Sequence, residues 1–287
     1  MITGPHICKM KEAAKTLSKE HKNAGRTRLT FLDAFRGILV VNMVLYHFCW
    51  DLVFLKGVDW PWFRYYTTPA RLWQTFIRFY FIFLSGYCLN MSKRSLRRGL
   101  ELTACGALIT AVTLLVMPED AIIFGVLTFL GAATLIGSPV NAYYKGGKVQ
   151  SAVLFMISLV FYVVLRGVSQ GFIGIMSRPL LMLPESLYRG YFMTFLGFIA
   201  PGFSSTDYVP LLPWIFVYFM GFFLGKLTLP ALRGRMIART SSGKAAETAA
   251  GRFFKPFVWI GQHALIIYML HQPILAGITN ILIYLDR

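Results

Sequence analysis

Hydrophobic residues run in long stretches along most of this chain, separated by short polar segments. Each stretch holds close to the 20 residues that a helix needs to cross about 30 Å of hydrocarbon. The pattern therefore predicts an all-α, polytopic transmembrane bundle of about seven spans. The predicted spans are approximately 31–55, 69–91, 99–117, 120–138, 149–167, 208–228 and 256–283.

One long segment, 168–207, does not fit this pattern. Three prolines interrupt it, and its best apolar run, 191–200, is too short to cross a bilayer as a helix. We expect an interfacial or re-entrant segment here. An eighth span at 187–207 is the alternative, and it would move every later loop to the opposite side of the membrane.

The basic residues predict an orientation. Of the 29 Lys and Arg residues, 20 fall in the tail 1–28 and in the loops on the same predicted side, and 7 fall on the other side. Cytoplasmic loops carry such an excess of Lys and Arg. We therefore expect a cytoplasmic N-terminus, a single membrane domain over 29–287 and a cytoplasmic loop at about 229–254, in the plasma membrane.

Composition narrows the class of protein. The 287 residues are 56% hydrophobic and only 14% charged, whereas soluble domains are usually about 25% charged. The net charge of +17 comes from basic residues that flank apolar runs. This arrangement is typical of a membrane protein, so we expect the lipid bilayer as a partner and no nucleic acid.

The first predicted helix carries four ionisable residues that a lipid-facing helix would avoid. Asp33, Arg36, His47 and Asp51 all lie within about 60° of one another around the helix axis. His47 and Asp51 are one turn apart, so a carboxylate can reach the imidazole. Ionisable groups inside a membrane usually serve function. This stripe predicts a site with His47 as general base and Asp51 as its orienting partner.

The second predicted helix has a polar face that includes Arg78 and Ser85, and four basic residues follow its end. Arg78 either pairs with an aspartate of the first helix or binds an anion. The basic run that includes Arg94 either fixes topology or binds a phosphate-rich ligand. We assign Arg36, Asp33, Arg78 and Arg94 to the binding of a phosphate-rich donor substrate, and Ser85 to the cavity that would hold the substrates.

The last predicted helix places Gln262, His263, His271 and Gln272 in an otherwise apolar span. No Cys or Glu lies near enough in sequence to complete a metal site, so we expect no metal. His263, His271 and Gln272 are cavity candidates together with Trp214.

Several segments resemble a known family of bacterial membrane proteins. They are LDAFRGILVVNMVLYHFCWDL, FIRFYFIFLSGYCLNMSKRSLRRGLEL, FGVLTFLG, TDYVPLLPWIFVYFMGFFLG and GQHALIIYMLHQPIL, in this order over about 28–275. The set resembles the heparan-α-glucosaminide N-acetyltransferase catalytic-domain-like family. The spacing of Arg36 and His47 is also similar to that of the membrane acyltransferase-3 family.

The resemblance implies an enzyme that transfers an acyl group, by default acetyl, from cytoplasmic acyl-CoA to a sugar or glycan on the outer side. It implies His47 as the catalytic histidine and Arg36 as its companion. It also places His271, Gln272 and the Asp207-Tyr208 segment around the cavity. Direct transfer and an acyl-histidine intermediate both fit these residues.

Two other functions stay open at this stage. A proton-coupled transporter would use His47, Asp51 and Arg78 as a relay, although no inverted repeat is visible. A scaffold protein would leave the polar stripe without a role. Gly221 and Gly225 form a G-x-x-x-G motif that serves either a homodimer or packing within the chain.

Overall fold

The computed structural model describes residues 29–54, 57–64, 67–175, 178–241 and 249–285. Within these ranges the chain forms nine α-helices, which confirms the predicted all-α class. The predicted tail 1–28 lies outside the described residues. The helices are α1 (Thr30–Phe54), α2 (Thr68–Leu89), α3 (Ser95–Val116), α4 (Val126–Tyr143), α5 (Lys148–Val164), α6 (Gly190–Leu196), α7 (Leu211–Ser241), α8 (Ala249–Gln262) and α9 (Ala264–Leu285).

Six stretches of the described chain are long and apolar enough to cross a membrane. They are Thr30–Phe54, Ser95–Val116, Val126–Tyr143, Lys148–Gln170, Leu211–Gly234 and Ala264–Leu282. Helix α2 has the length of a span, 22 residues, but Arg71, Gln74 and Arg78 make it more polar. It packs against α1, α4 and α7; Arg71 is exposed, whereas Gln74 and Arg78 are half-buried.

Helix α1 runs parallel to α8 and α9. Near the start of α1, a β-carbon on Gly261 would lie 1.8 Å from the Asp33 carbonyl oxygen. Farther along both α1 and α9, the ring of His47 contacts that of His271. Contacting residue numbers therefore rise together. The first and last crossings point the same way, as an odd number of alternating spans requires.

Helix α2 runs parallel to α7, and the G-x-x-x-G motif lies at their interface. A β-carbon on Gly221 would lie 1.9 Å from the Phe83 carbonyl oxygen, and one on Gly225 would lie 2.3 Å from the side-chain nitrogen of Asn90 and 3.2 Å from the Tyr87 carbonyl oxygen. Only glycine allows backbones to approach this closely. The motif thus serves packing within the chain, one of the two roles that its sequence allowed.

The last predicted span, 256–283, is two helices rather than one. Helix α8 ends at Gln262, and α9 begins at Ala264. The amide of His263 is shared between the carbonyls of Trp259 and Ile260, at 3.2 and 3.1 Å, which is the tightening typical of a helix end. Periodicity alone does not reveal this break, because apolar residues continue on both sides of it.

The long segment between α5 and α7 contains no helix long enough to span a membrane in its described part. A 3₁₀ turn at Leu165–Gln170 leads into an antiparallel hairpin of β1 (Phe172–Ile175) and β2 (Arg178–Met182). The register pairs Phe172 with Met182, with an irregularity after Ile173. Helix α6 has only seven residues, about 10 Å of rise, so the alternative of an eighth span at 187–207 is wrong.

Helix α7 continues beyond its predicted end. The sequence predicted a loop from about 229, yet the helix runs through Pro230 to Ser241. Residues 242–248 of that predicted loop lie outside the described residues.

Candidate active site

Two histidines from different helices meet inside the bundle. The rings of His47 on α1 and His271 on α9 have centroids 4.9 Å apart at an angle of 70°. His271 is buried and His47 is half-buried. The parallel course of α1 and α9 places the two side chains at the same level, so residues 224 positions apart in the sequence form one pair.

Both imidazoles donate from the same nitrogen. His47 Nδ1 lies 2.9 Å from the Met43 carbonyl oxygen, and His271 Nδ1 lies 2.6 Å from the Tyr268 carbonyl oxygen. A carbonyl only accepts hydrogen bonds, so each Nδ1 carries the proton in the neutral ring. Each Nε2 then holds a lone pair, the state that a general base or a nucleophile requires.

Asp51 belongs to this cluster, but it does not orient His47 as the sequence predicted. Its Oδ1 accepts a hydrogen bond from Gln272 Nε2 at 3.2 Å. The hydrogen bond that orients His47 comes instead from the Met43 carbonyl, one turn earlier on its own helix. The i, i+4 spacing allows a carboxylate to reach the imidazole, but Gln272 competes for that carboxylate.

Three buried polar atoms in this cluster have no hydrogen-bond partner among the described residues. They are Asp51 Oδ2, His271 Nε2 and Gln272 Oε1. In the tautomer given above all three are acceptors. Leaving such atoms unpaired costs about 1–3 kcal/mol each, which makes this part of the interface between α1 and α9 a candidate site for a molecule with N–H or O–H donors.

A tyrosine that the sequence analysis did not select links this cluster to the rest of the bundle. Tyr268 donates its hydroxyl proton to Asp207 Oδ2 at 3.0 Å, and the same oxygen accepts from the Val126 amide at 3.3 Å. Asp207 thus lies at the N-terminus of α4, where the helix dipole favours a carboxylate. A neutral aromatic residue in an apolar run gives no sequence signal for this contact.

Tyr208, adjacent to Asp207, has its described contacts with α6 and with the loop before α7. Its hydroxyl donates to the Thr194 carbonyl in α6, and its ring packs against Phe203. Burial raises the pKa of Tyr208, so it stays a neutral donor. The structure gives it a role in fixing the loop before α7.

Arg78 on α2 faces Trp214 on α7. Its guanidinium carbon is 5.6 Å from the ring centroid of Trp214, a cation–π distance. Within the described ranges its guanidinium makes no hydrogen bond or ion pair. The predicted pairing with an aspartate of α1 is therefore absent there. Ser85, predicted on the same face, donates to the Phe81 carbonyl of its own helix at 2.9 Å.

The Asp33–Arg36 pair is separate from the histidines and has internal partners. Arg36 Nη1 lies 3.2 Å from Asp33 Oδ1, and Nη2 lies 3.0 Å from Cys88 Sγ. Arg36 also reaches the carbonyl oxygen of Gly261 at 3.5 Å. These contacts join α1, α2 and α8. Arg94 is exposed just before α3.

His263 does not join the pair. It lies between α8 and α9, with its ring 4.5 Å from that of Trp259 and Nδ1 2.9 Å from the Trp259 carbonyl oxygen. It is about 12 Å from His271 along the helix direction. No group of three His, Cys, Asp or Glu side chains in the described ranges has the geometry to hold a metal ion.

Comparison with known proteins identifies the family. The profile described as heparan-alpha-glucosaminide N-acetyltransferase, catalytic, matches residues 28–273. This match begins just before α1 and ends immediately after His271 and Gln272, so it contains both halves of the histidine pair. Among curated proteins and among solved structures, nothing matches the chain. The chain belongs to the heparan-alpha-glucosaminide N-acetyltransferase catalytic family, a family of acetyltransferases, and its apolar helices make it a multi-pass membrane member.

Proposed function

We propose that this protein transfers an acyl group, most simply acetyl, from acyl-CoA to an amine or hydroxyl group of a sugar or glycan. The observation that carries the proposal is the His47–His271 pair, whose Nε2 atoms hold lone pairs. His271 Nε2 is one of three buried acceptors, with Asp51 Oδ2 and Gln272 Oε1, that have no partner among the described residues. Family membership supports the reaction class. The donor, the acceptor and the sidedness are parts of the proposal.

The choice of a sugar as the molecule that receives the acyl group follows from the chemistry of the unpaired atoms. Asp51 Oδ2, His271 Nε2 and Gln272 Oε1 can only accept hydrogen bonds in the tautomer described. A sugar presents several O–H or N–H donors close together and can satisfy more than one of them. A substrate without O–H or N–H groups would leave these buried polar atoms unpaired, and its affinity for the site would be lower for that reason.

The transfer step assigns the proton to His47. The acceptor nitrogen or oxygen attacks the thioester carbonyl carbon while His47 Nε2 removes its proton. The tetrahedral intermediate then collapses, the C–S bond breaks, and the thiolate of CoA takes the proton back from His47. Met43 holds the ring through Nδ1 during both transfers. Asp51 and Gln272 hold the acceptor and face the imidazolium that forms.

Arg78 is the better candidate of the donor-binding arginines. Arg36 is already held by Asp33, Cys88 and the Gly261 carbonyl. Arg78 makes no hydrogen bond or ion pair among the described residues. It lies over the ring of Trp214 and interacts electrostatically with Tyr162 and Tyr268, so its five N–H donors are available to the phosphates of CoA or to the oxyanion. Arg94 and the neighbouring basic residues lie at the entrance that we assign to the cytoplasm.

The sidedness that we propose rests on charge and on helix direction. The parallel course of α1 with α9 and of α2 with α7 is that of seven alternating crossings. The predicted basic loops then fall at one end of the bundle, and the positive-inside rule assigns that end to the cytoplasm. The acceptor sugar would approach from the opposite end, where Asp207 and the hairpin lie.

The test uses the full chain in nanodiscs with labelled acetyl-CoA as donor and glucosamine as acceptor probe. We expect acetylated glucosamine, and in calorimetry we expect Arg78→Met to weaken acetyl-CoA binding about tenfold. Arg64→Met is the matched control, because Arg64 is exposed and bonded to Asp59 in the loop after α1. If folded protein shows neither binding nor transfer, the proposal fails. A proton-driven flux without CoA would then favour the transporter.

A further inference from the structure

The loop before α7 is fixed to the segment before α4 by a series of short contacts. Ser205 Oγ accepts from the Ile123 amide at 2.9 Å and donates to the Ile123 carbonyl at 2.8 Å. Thr206 Oγ1 donates to the Asp120 carbonyl at 2.9 Å. The Val209 amide donates to the Phe124 carbonyl at 3.0 Å. Asp207 therefore projects from a backbone that is held on both sides.

The carboxylate of Asp207 connects this fixed loop to α9. One oxygen, Oδ2, accepts both the Val126 amide and the Tyr268 hydroxyl. Asp207 packs directly against Gly125, since a β-carbon there would lie at ordinary contact distance, 3.5 Å, from both the carbonyl oxygen and Oδ2 of Asp207. Between Glu185 and Glu247 the sequence holds no other acidic residue, so no neighbouring carboxylate in this stretch can replace it.

The residues that follow Tyr268 carry the chemistry. His271 and Gln272 lie three and four residues later, on the same face of α9. His271 Nδ1 is bonded to the carbonyl of Tyr268 itself, and the two rings are 5.5 Å apart. Any rotation of α9 about its axis would move the Tyr268 hydroxyl, His271 and Gln272 together.

We propose that Tyr268 is a positioning residue, and that its hydroxyl bond to Asp207 sets the rotation of α9 that brings His271 against His47 and Gln272 against Asp51. This proposal rests on the proposed function, because it deepens the account of the same site. Tyr268 acts through His271 and Gln272. A misplacement of about 1 Å at a reacting group can lower the rate about 100-fold.

The experiment compares Tyr268→Phe, Asp207→Asn and the double variant with Tyr218→Phe as matched control. Tyr218 is also a buried tyrosine, bonded through its hydroxyl to Thr134 Oγ1 at 3.2 Å on other helices. We expect kcat for acetyl transfer to glucosamine to fall about tenfold in Tyr268→Phe, with KM for acetyl-CoA unchanged. The double variant should lose little more than either single one, and Tyr218→Phe should keep its kcat.

A second readout does not require turnover. Diethyl pyrocarbonate modifies neutral histidine, and mass spectrometry gives the rate at each position. We expect His271 to react several-fold faster in Tyr268→Phe than in the wild type or in Tyr218→Phe, with no change at His263. Equal His271 rates in all these proteins would overturn the positioning role. A wild type that transfers no acetyl group would overturn the proposed function alone, since the modification rates would still decide the role of Tyr268.

Discussion

Helix α1 carries two polar clusters that are opposite in kind. Near its start, Arg36 has contacts to Asp33, Cys88 and the Gly261 carbonyl. Near its end, Asp51 and its neighbours on α9 retain three buried acceptors without partners in the described chain. A satisfied buried network stabilises the packing of helices, whereas buried polar groups without partners are costly and are usually retained for function.

The difference changes the role expected for one half of the stripe. All four residues fall on one stripe of α1, and the sequence predicted catalysis for His47 and Asp51 and donor binding for Asp33 and Arg36. The structure divides the stripe into a cluster that joins α1 to α2 and α8, and a cluster that faces α9. The first is expected to contribute to stability and the second to chemistry.

The largest effect is expected at the histidine pair. His271→Gln removes the buried Nε2 lone pair and the ring that contacts His47. We expect the acetyl-transfer rate to fall about 100-fold, with a melting temperature close to that of the wild type. Turnover measured alongside thermal unfolding checks this. A variant that keeps half of the wild-type rate would contradict the assignment of the chemistry to the cluster that faces α9.

The second-largest effect is expected for the carboxylate of Asp51. Asp51→Asn keeps the shape but replaces one acceptor oxygen with an amide donor in the cluster that holds the unpartnered acceptors His271 Nε2 and Gln272 Oε1. We expect KM for glucosamine to rise about tenfold, about 1.4 kcal/mol, and acetyl-CoA binding to stay unchanged. Initial rates at several glucosamine concentrations test this. An equal loss of acetyl-CoA affinity would assign Asp51 to the donor instead.

The opposite outcome is expected for the cluster at the start of α1. Arg36→Met removes a half-buried charge pair and the contacts to Cys88 and Gly261. We expect a loss of about 1–3 kcal/mol in the free energy of unfolding. The folded fraction should keep kcat within about twofold of the wild type.

The control for that measurement is Arg94→Met, which changes an exposed arginine of the same predicted side and should leave the melting temperature unchanged. If Arg36→Met instead keeps full stability and loses acetyl-CoA binding, Arg36 is a donor ligand and the division of the stripe is wrong.

The smallest effect is expected at His263. This residue lies at the break between α8 and α9, just before the helix that carries His271. His263→Gln should keep the rate within about twofold of the wild type. It is the matched control for His271→Gln, since the same side chain is changed in both. A loss as large as that of His271→Gln would bring His263 back into the site.

The sequence predicted the helices and half of the site, for reasons that are local. Apolar length identifies spans, and the angular positions of Asp33, Arg36, His47 and Asp51 follow from helix geometry alone. The contact of His47 with His271 depends on the relative level of α1 and α9. The relative level of two helices that are distant in the chain cannot be derived from a single sequence. Tyr268 was missed because a tyrosine in an apolar run resembles an ordinary packing residue.

Glycines and carbonyls explain other differences. The backbone contact at Gly37, where a β-carbon would lie 1.9 Å from the Phe257 carbonyl oxygen, draws α8 against α1, and its partner is not apparent from the sequence. The Met43 carbonyl that orients His47 is present in any helix at that position. Spacing alone therefore favoured Asp51, although the backbone supplies the bond.

The central claim is that the His47–His271 pair performs acetyl transfer. The most direct test is a single-turnover measurement of labelled acetyl transfer from acetyl-CoA to glucosamine by wild type and His47→Gln in nanodiscs. We predict a rate at least about 100-fold lower in His47→Gln, with acetyl-CoA binding and melting temperature preserved. A His47→Gln variant that transfers acetyl at the wild-type rate would contradict the account.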